Sequence, residues 1–283
     1  MKIDKSIKNL IRQALKEDIG CGDITTNALI APKQQAKAVI VAKQGGIIAG
    51  LDIAKAIFVE LDKSIKFKPL VKDGDKVKAG KKIAEITGSA RAILTAERTA
   101  LNFLAHLSGI ATLTRQFVNR VKPYKVKIMD TRKTVPGLCI LEKYAVKCSG
   151  GINHRMGLWD GVLVKENHIH IFSRGRSKKI KEAIGKIRKK IPRNKKIEVE
   201  VETLKELKQA LDAKVDIILL DNMNIGRIKK AVAIRGKNRA LLEVSGRVNL
   251  ANIRQIAKTG VDRISIGALT HSAKALDLSL LIV

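Results

Sequence analysis

Polar residues of a few chemical kinds recur at the ends of apolar runs in this chain. Arg132 and Lys133 follow "KIMDT", and His154 and Arg155 follow "GGIN". Lys165 closes "GVLVK", Glu200 lies in "EVEVE", and Asp221 closes "IILLD". Ser245 closes "LLEVS" with Gly246 behind it, and Gly267 closes "ISIG". Cations in apolar surroundings are costly unless something anionic pairs with them. Arg132, Lys133, His154, Arg155 and Lys165 suit carboxylates or phosphates, which arginine can grip bidentately. Glu200 and Asp221 would sit among those cations, which favours their ionised forms. Two carboxylates beside a polyphosphate suggest Mg2+ held partly through water. Ser245, Gly246 and Gly267 offer a hydroxyl and backbone N–H groups to a terminal phosphate. No nucleophile–base pair of a hydrolase is evident. The composite is a pocket for a polycarboxylate together with a phosphorylated sugar.

Each residue taken alone has a plainer reading. Asp221-Asn222 could cap the following helix. Glu200 could face a barrel lumen or pair with a helix lysine. Lys165 could lie on the surface, and Ser245-Gly246 could be a turn. Their common placement carries the argument. "KVKIMD", "GVLVK", "KIEVEVE", "VDIILLD", "ALLEVS" and "RISIG" are short β-branched runs. Helical stretches at 203–214, 225–234 and 249–260 separate several of them. Glu200, Asp221, Ser245 and Gly267 stand 21, 24 and 22 positions apart, one βα unit per interval. Alternating strand and helix means parallel strands with right-handed crossovers. No GxGxxG follows a strand and there is no P-loop, so a closed α/β barrel fits better than an open nucleotide-binding sheet. In such a barrel the carboxyl ends of the strands form the mouth that holds the active site.

The region before the barrel differs. An amphipathic helix near the start places Ile7, Leu10, Ile11 and Leu15 on one face. Residues 36–95 alternate and turn at Gly45-Gly46, Asp73-Gly74 and Ala79-Gly80, as a small β-rich unit. Residues 95–120 have helical spacing, and Thr95 suggests the helix start. Arg98 would then lie in the first turn, where the helix dipole does not favour a cation.

The 283 residues include 56 Lys and Arg against 26 Asp and Glu, a net charge of +30, and 45% are apolar. A core is therefore affordable, and the positive field attracts anions. Aromatic residues make up only 3%, too few for a platform stacking single-stranded nucleic acid, so such binding is expected to be incidental. The most basic run, 173–196, reads as a solvated helix face with flanking loops. Cys21, Cys139 and Cys148 form neither a CxxC pair nor an even set, which suggests reduced thiols. No run approaches a membrane span, and a cytoplasmic location is the default.

In order along the chain, "EDIGCGDITT" (17–26), "AERTALNFLAHLSGIAT" (96–112), "DTRKTVPGL" (130–138) and "EKYAVKCSGGINHRMGL" (142–158) resemble the quinolinate phosphoribosyltransferase family. So do "VLVKENH" (162–168), "EVEVET" (198–203), "ILLDN" (218–222), "LEVSG" (242–246) and "SIGALTHS" (265–272). The resemblance implies an incomplete (β/α) barrel of fewer than eight strands plus an N-terminal α/β sandwich domain. It implies domains at 1–110, completed by about 270–283, and at 111–269. It implies phosphoribosyl transfer from 5-phosphoribosyl-1-pyrophosphate to quinolinate with decarboxylation. The products are nicotinate mononucleotide, pyrophosphate and CO2, in NAD biosynthesis, with Mg2+. Lys133, Lys165, Glu200 and Asp221 would be catalytic. Arg132, His154 and Arg155 would hold the quinolinate carboxylates, with Lys133 and Lys165 beside them. Glu200 and Asp221 would serve the metal, through water or the pyrophosphate, and the charge developing on ribose. Ser245, Gly246 and Gly267 would bind the 5-phosphate. A homodimer with shared active sites is implied as the smallest assembly, Arg98 entering from the second copy.

Val135, Cys139, Ser149 and Arg247 depart from the family pattern of Thr, Arg, Gly and Gly. Cys139 removes a cation near the acceptor site and Arg247 adds one near the phosphate loop. Relatives acting on another substrate, or on nicotinate alone, are the competing enzyme readings. Retention of "NHR" and both flanking lysines argues against the first, and the second should not need so many carboxylate-binding cations. A nucleic-acid-binding protein would account for the charge but not for Glu200, Asp221 and the regular βα spacing.

Overall fold

The structure is a computed structural model and describes residues 1–174 and 179–283. Part of the basic run 173–196 thus lies outside the described residues. The chain divides into two compact units, and both are discontinuous in sequence.

The first unit comprises Met1–Arg115, Val135–Gly150 and Ser272–Val283. Its four-stranded antiparallel sheet runs Leu278–Ile282, Gln35–Ala42, Lys82–Ser89, Lys66–Pro69 in spatial order. The last strand of the sequence therefore pairs with the first, Ile40 opposite Leu280. The middle of the sheet is buried on both faces, with Ile83 and Ile86 from one strand and Val39 and Ile40 from its neighbour. Helix Leu51–Leu61 adds Ile53, Ile57 and Phe58 to that core. Helix Lys5–Ile19 begins where the Asp4 carboxylate accepts from Ile7 N–H at 2.9 Å. It buries Ile7, Ile11 and Leu15, one stripe at helical spacing.

Helix Ala90–Arg120 starts five residues before Thr95, so Arg98 is not in its first turn. Thr95 caps nothing there: its hydroxyl donates to Asp23 Oδ2 at 3.1 Å. The dipole therefore gives no explanation for Arg98, which lies exposed along the helix.

The second unit comprises Gln116–Thr134 and Gly151–His271. Six parallel strands lie in the order Lys127–Met129, Arg263–Ser265, Leu241–Ser245, Ile217–Asp221, Ile197–Val201, Val162–Val164. Helices such as Leu204–Asp212 and Ile225–Arg235 connect them. The cylinder is not closed by a ladder: among the described residues none joins Lys127–Met129 to Val162–Val164. A short segment lies along the first edge instead. Ile152 bridges Met129 in parallel fashion, its N–H donates to Ile128 C=O at 2.8 Å, and His154 N–H donates to Asp130 Oδ1 at 2.9 Å. Arg155 continues toward the other edge, donating to Gly161 C=O at 3.0 Å. A fewer-stranded barrel thus puts His154 and Arg155 at its own seam.

Candidate active site

The carboxyl ends of all six strands open onto one cavity of about 740 Å³. Arg132, Lys133, His154, Arg155, Lys165, Glu200, Asp221, Ser245, Gly246 and Gly267 all line it. Arg98 is not among its lining residues; it belongs to the first unit. The gathering follows from strand geometry. Side chains alternate between the lumen and the surrounding helices, and each lumen-facing row ends at the rim.

Two of the plainer readings are excluded. Asp221 does not cap the next helix, because Asn224 does, accepting from Arg227 N–H at 2.9 Å. Among the described residues Glu200 pairs with Lys165, its Oε2 3.3 Å from Nζ at the neighbouring strand end. Lys165 half-covers itself in that pair, with its side chain 50% exposed.

Two loops shape the floor of the cavity. Gly246 adopts φ +91°, and a Cβ there would meet Asn222 Oδ1 at 2.2 Å. Only glycine satisfies both demands. Asn222 itself is left-handed, and its backbone N–H donates to Ser245 C=O at 3.1 Å. Arg247 is left-handed too and brings a further cation to the lining. Across the cavity, Thr270 Oγ1 donates to Lys133 C=O at 2.7 Å. A Cβ on Gly267 would stand 3.0 Å from Lys133 Cδ, so the lysine stem lies over that glycine.

Five Lys and Arg side chains in the lining face two carboxylates. Burial, and then the Arg132 charge, push the Arg155 guanidinium below its ordinary value. An arginine remains charged despite such a shift, so the site holds unspent positive charge. That is the electrostatic form of an anion site.

Beneath the rim lies a layer that the sequence reading missed. Glu198 and Glu243 are buried and face the same lumen. Glu198 Oε2 lies 3.0 Å, and Glu243 Oε1 3.5 Å, from His154 Nε2. Arg263 approaches Glu243 at 3.9 Å. Burial first, and Glu198 second, push the Glu243 carboxyl up to about 7. The signal was present: Glu198 shares the parity of Glu200, and Glu243 that of Ser245. Thr131, Asn222, Ser265 and His271 also line the cavity without having been singled out.

Two donor sets come into question for a divalent ion. His154, Glu198 and Glu243 place ligand atoms within 4.8 Å of one another, but the Arg263 cation already attends that group. Glu200 and Asp221 offer hard oxygens to the cavity with no third acid beside them in the lining. That set suits a magnesium ion keeping several waters and sharing substrate phosphates.

Fold and site together define a barrel transferase for anionic, phosphorylated substrates. Two family models cover nearly the whole chain: quinolinate phosphoribosyl transferase, N-terminal domain, over residues 23–108, and the C-terminal domain over 110–281. The chain belongs to the quinolinate phosphoribosyltransferase family. It is 46% identical to a probable nicotinate-nucleotide pyrophosphorylase [carboxylating] of Methanocaldococcus jannaschii, covering 97% of this chain and 96% of that one. It is 40% identical to a quinolinate phosphoribosyltransferase [decarboxylating] of Nicotiana tabacum described as mitochondrial, covering 97% of this chain and 81% of the other. The solved nicotinate-nucleotide pyrophosphorylase of Francisella tularensis superposes with a TM-score of 0.91 at 45% identity, over 98% of this chain and 96% of that one. No helix among the described residues is long and apolar enough to cross a membrane.

Proposed function

We propose that this protein transfers the phosphoribosyl group of 5-phosphoribosyl-1-pyrophosphate to quinolinate with loss of CO2, forming nicotinate mononucleotide for NAD biosynthesis. One observation carries the reading. A single cavity holds a cationic wall of Arg132, Lys133, Arg155 and Lys165, the carboxylates Glu200 and Asp221, and the Ser245-Gly246 turn. A dicarboxylate acceptor needs the first, a ribose–pyrophosphate donor the second and third.

In this reading Arg132 and Arg155 grip the acceptor carboxylates, with His154 on the same wall and Lys133 and Lys165 beside them. That clamp aligns the pyridine nitrogen with the ribose anomeric carbon. Glu200 and Asp221 stabilise the positive charge that develops on ribose as pyrophosphate departs. Ser245, Gly246 and Gly267 hold the 5-phosphate. Once the nitrogen is quaternised, loss of the adjacent carboxylate leaves a carbanion that the pyridinium stabilises, and no general base is required. A magnesium ion, held by Glu200 and Asp221 partly through water, would neutralise charge on the pyrophosphate.

A homodimer with shared sites is part of the proposal, Arg98 of a second copy completing each mouth. Exposed apolar side chains support association: Ile24 and Leu29 in the first unit, Leu158 and Trp159 in the second. Cys21, Cys139 and Cys148 form no disulfide, which fits a reducing compartment, and the cytoplasm is the one proposed.

The test is an assay of purified protein with phosphoribosyl pyrophosphate, magnesium and either quinolinate or nicotinate. Nicotinate mononucleotide and CO2 are expected from quinolinate alone. Equal turnover of nicotinate, or none of quinolinate, overturns the assignment.

A further inference from the structure

The lumen below the rim contains polar groups for which substrate binding gives no direct use. His154 is their hub. Its Nδ1 accepts from the Arg155 backbone N–H at 2.8 Å. A backbone N–H can only donate, so Nδ1 presents its lone pair and the ring proton resides on Nε2. Nε2 points at Glu198 Oε2, 3.0 Å away, with Glu243 Oε1 at 3.5 Å. The His154 backbone N–H is fixed in turn by Asp130. The ring forms a wall common to the 740 Å³ cavity and a second cavity of about 360 Å³. Its side chain is only 11% exposed.

We propose that Glu198, supported by Glu243, locks His154 as the neutral Nε2–H tautomer and thereby aims Arg155 at the acceptor carboxylate. His154 is then a positioning residue and not an ionic clamp. The inference rests on the substrate reading above for the identity of that carboxylate, and on geometry alone for the tautomer. Protonating Nδ1 would strip the Arg155 N–H of its acceptor, and a buried donor without a partner is costly. The same amide begins the residue whose guanidinium donates to Gly161 C=O at 3.0 Å across the seam. Ring and guanidinium are therefore one rigid assembly. Removing the Glu198 acceptor frees the ring to exchange tautomers or turn over, and Arg155 loses its fixed origin.

The Arg155 N–H on Nδ1 sets the neutral form, against the pull of the nearby carboxylates toward an imidazolium. Glu198 comes from one strand and Glu243 from another. Arg263 and Ser265 come from a third, and Asp130, Arg132 and Arg155 from the flanking loops. Arg263 offsets one carboxylate. Glu243, pushed up to about 7, carries its own proton for part of the accessible pH range. The divalent-ion reading of His154, Glu198 and Glu243 is disfavoured by Arg263, and metal analysis of the purified protein decides it.

Two measurements test the proposal on the full-length protein. In the ligand-free wild type, long-range 15N–1H correlations of labelled histidine should give His154 the Nε2–H pattern near neutral pH, assigned by its loss in His154→Gln. An imidazolium or Nδ1–H pattern, or a stoichiometric metal on the ring, overturns it. By calorimetry, Glu198→Ala should weaken quinolinate binding about tenfold. Glu198→Gln, which keeps an acceptor oxygen, should recover most of that loss. Unchanged affinity in Glu198→Ala, or equal loss in both variants, overturns the positioning role. Should Glu198→Ala not fold, the wild-type spectrum and Glu198→Gln still decide. A wild type with the expected tautomer but no quinolinate affinity upholds the locked ring and overturns the substrate reading instead.

Discussion

Lys165 Nζ and Glu200 Oε2 stand 3.3 Å apart at the ends of neighbouring parallel strands, on the rim of the cavity. Half of the lysine side chain is exposed, against 15% of the glutamate. Such a pair contributes about 0–1 kcal/mol to stability. In the proposed reaction its consequence is larger, because each partner holds the other in place on the cavity rim. Glu200→Gln should therefore lower kcat about 100-fold. Its midpoint in urea should stay close to that of the wild type. A variant that loses stability in proportion to activity would mark the pair as structural.

Gly246 offers a separate handle on the donor half of the site. Its φ of +91° and the 2.2 Å approach of a Cβ to Asn222 Oδ1 make Gly246→Ala a local distortion of the phosphate turn. The KM for phosphoribosyl pyrophosphate should rise about 10- to 100-fold, since small misplacements at a binding loop are costly. Quinolinate affinity, measured separately by calorimetry, should hardly change. Loss of both affinities would place the turn nearer the acceptor than proposed.

Much of the site was legible because parallel strands end where their chemistry begins. Asp221, Ser245 and Gly267 each close a β-branched run, and regular βα spacing set the runs side by side. Parity was also there to use: Glu198 and Glu243 sit two residues before Glu200 and Ser245. They were passed over because an acid inside a strand reads as a solvent-facing residue unless the whole lumen is in view. The seam was not legible at all. The Met129–Ile152 bridge and the hydrogen bond from His154 to Asp130 join residues more than a turn apart through tertiary contact. The start of helix Ala90–Arg120 was misjudged for a related reason. Thr95 has the chemistry of a cap, but its hydroxyl is engaged by Asp23, and tertiary packing continues the helix through it.

Arg98 tests the assembly. It is exposed on its own unit and is not among the residues that line the cavity, and the proposal brings it in from a second copy. Arg98→Ala and Arg155→Ala proteins should each be nearly inactive with quinolinate. Random pairing makes half of the dimers mixed, and each mixed dimer has one whole mouth. Activity should then return to roughly a quarter of the wild-type level. Stable mixed dimers with no recovery would confine each site to a single chain.

Glu243 makes stability depend on pH in a direction that can be worked out. Its carboxyl is pushed up from 4.5 to about 7, by burial first and by Glu198 second; Ser265 and Arg263 act the other way. Below the ordinary carboxyl range the group is protonated in both the folded and unfolded protein, and no penalty exists. As pH rises toward about 7 the unfolded chain releases its proton more readily than the fold does. Stability is lost across that window and levels off above it. Glu243→Gln cannot ionise, so it should gain on the wild type as pH rises from about 5 to about 8, by on the order of 1–3 kcal/mol. Urea unfolding of both proteins at the two pH values measures the difference, and other titrating groups cancel in the comparison. The opposite trend would follow if the Arg263 pairing outweighed burial. Its 3.9 Å separation, and its place last among the causes where burial stands first, put burial ahead.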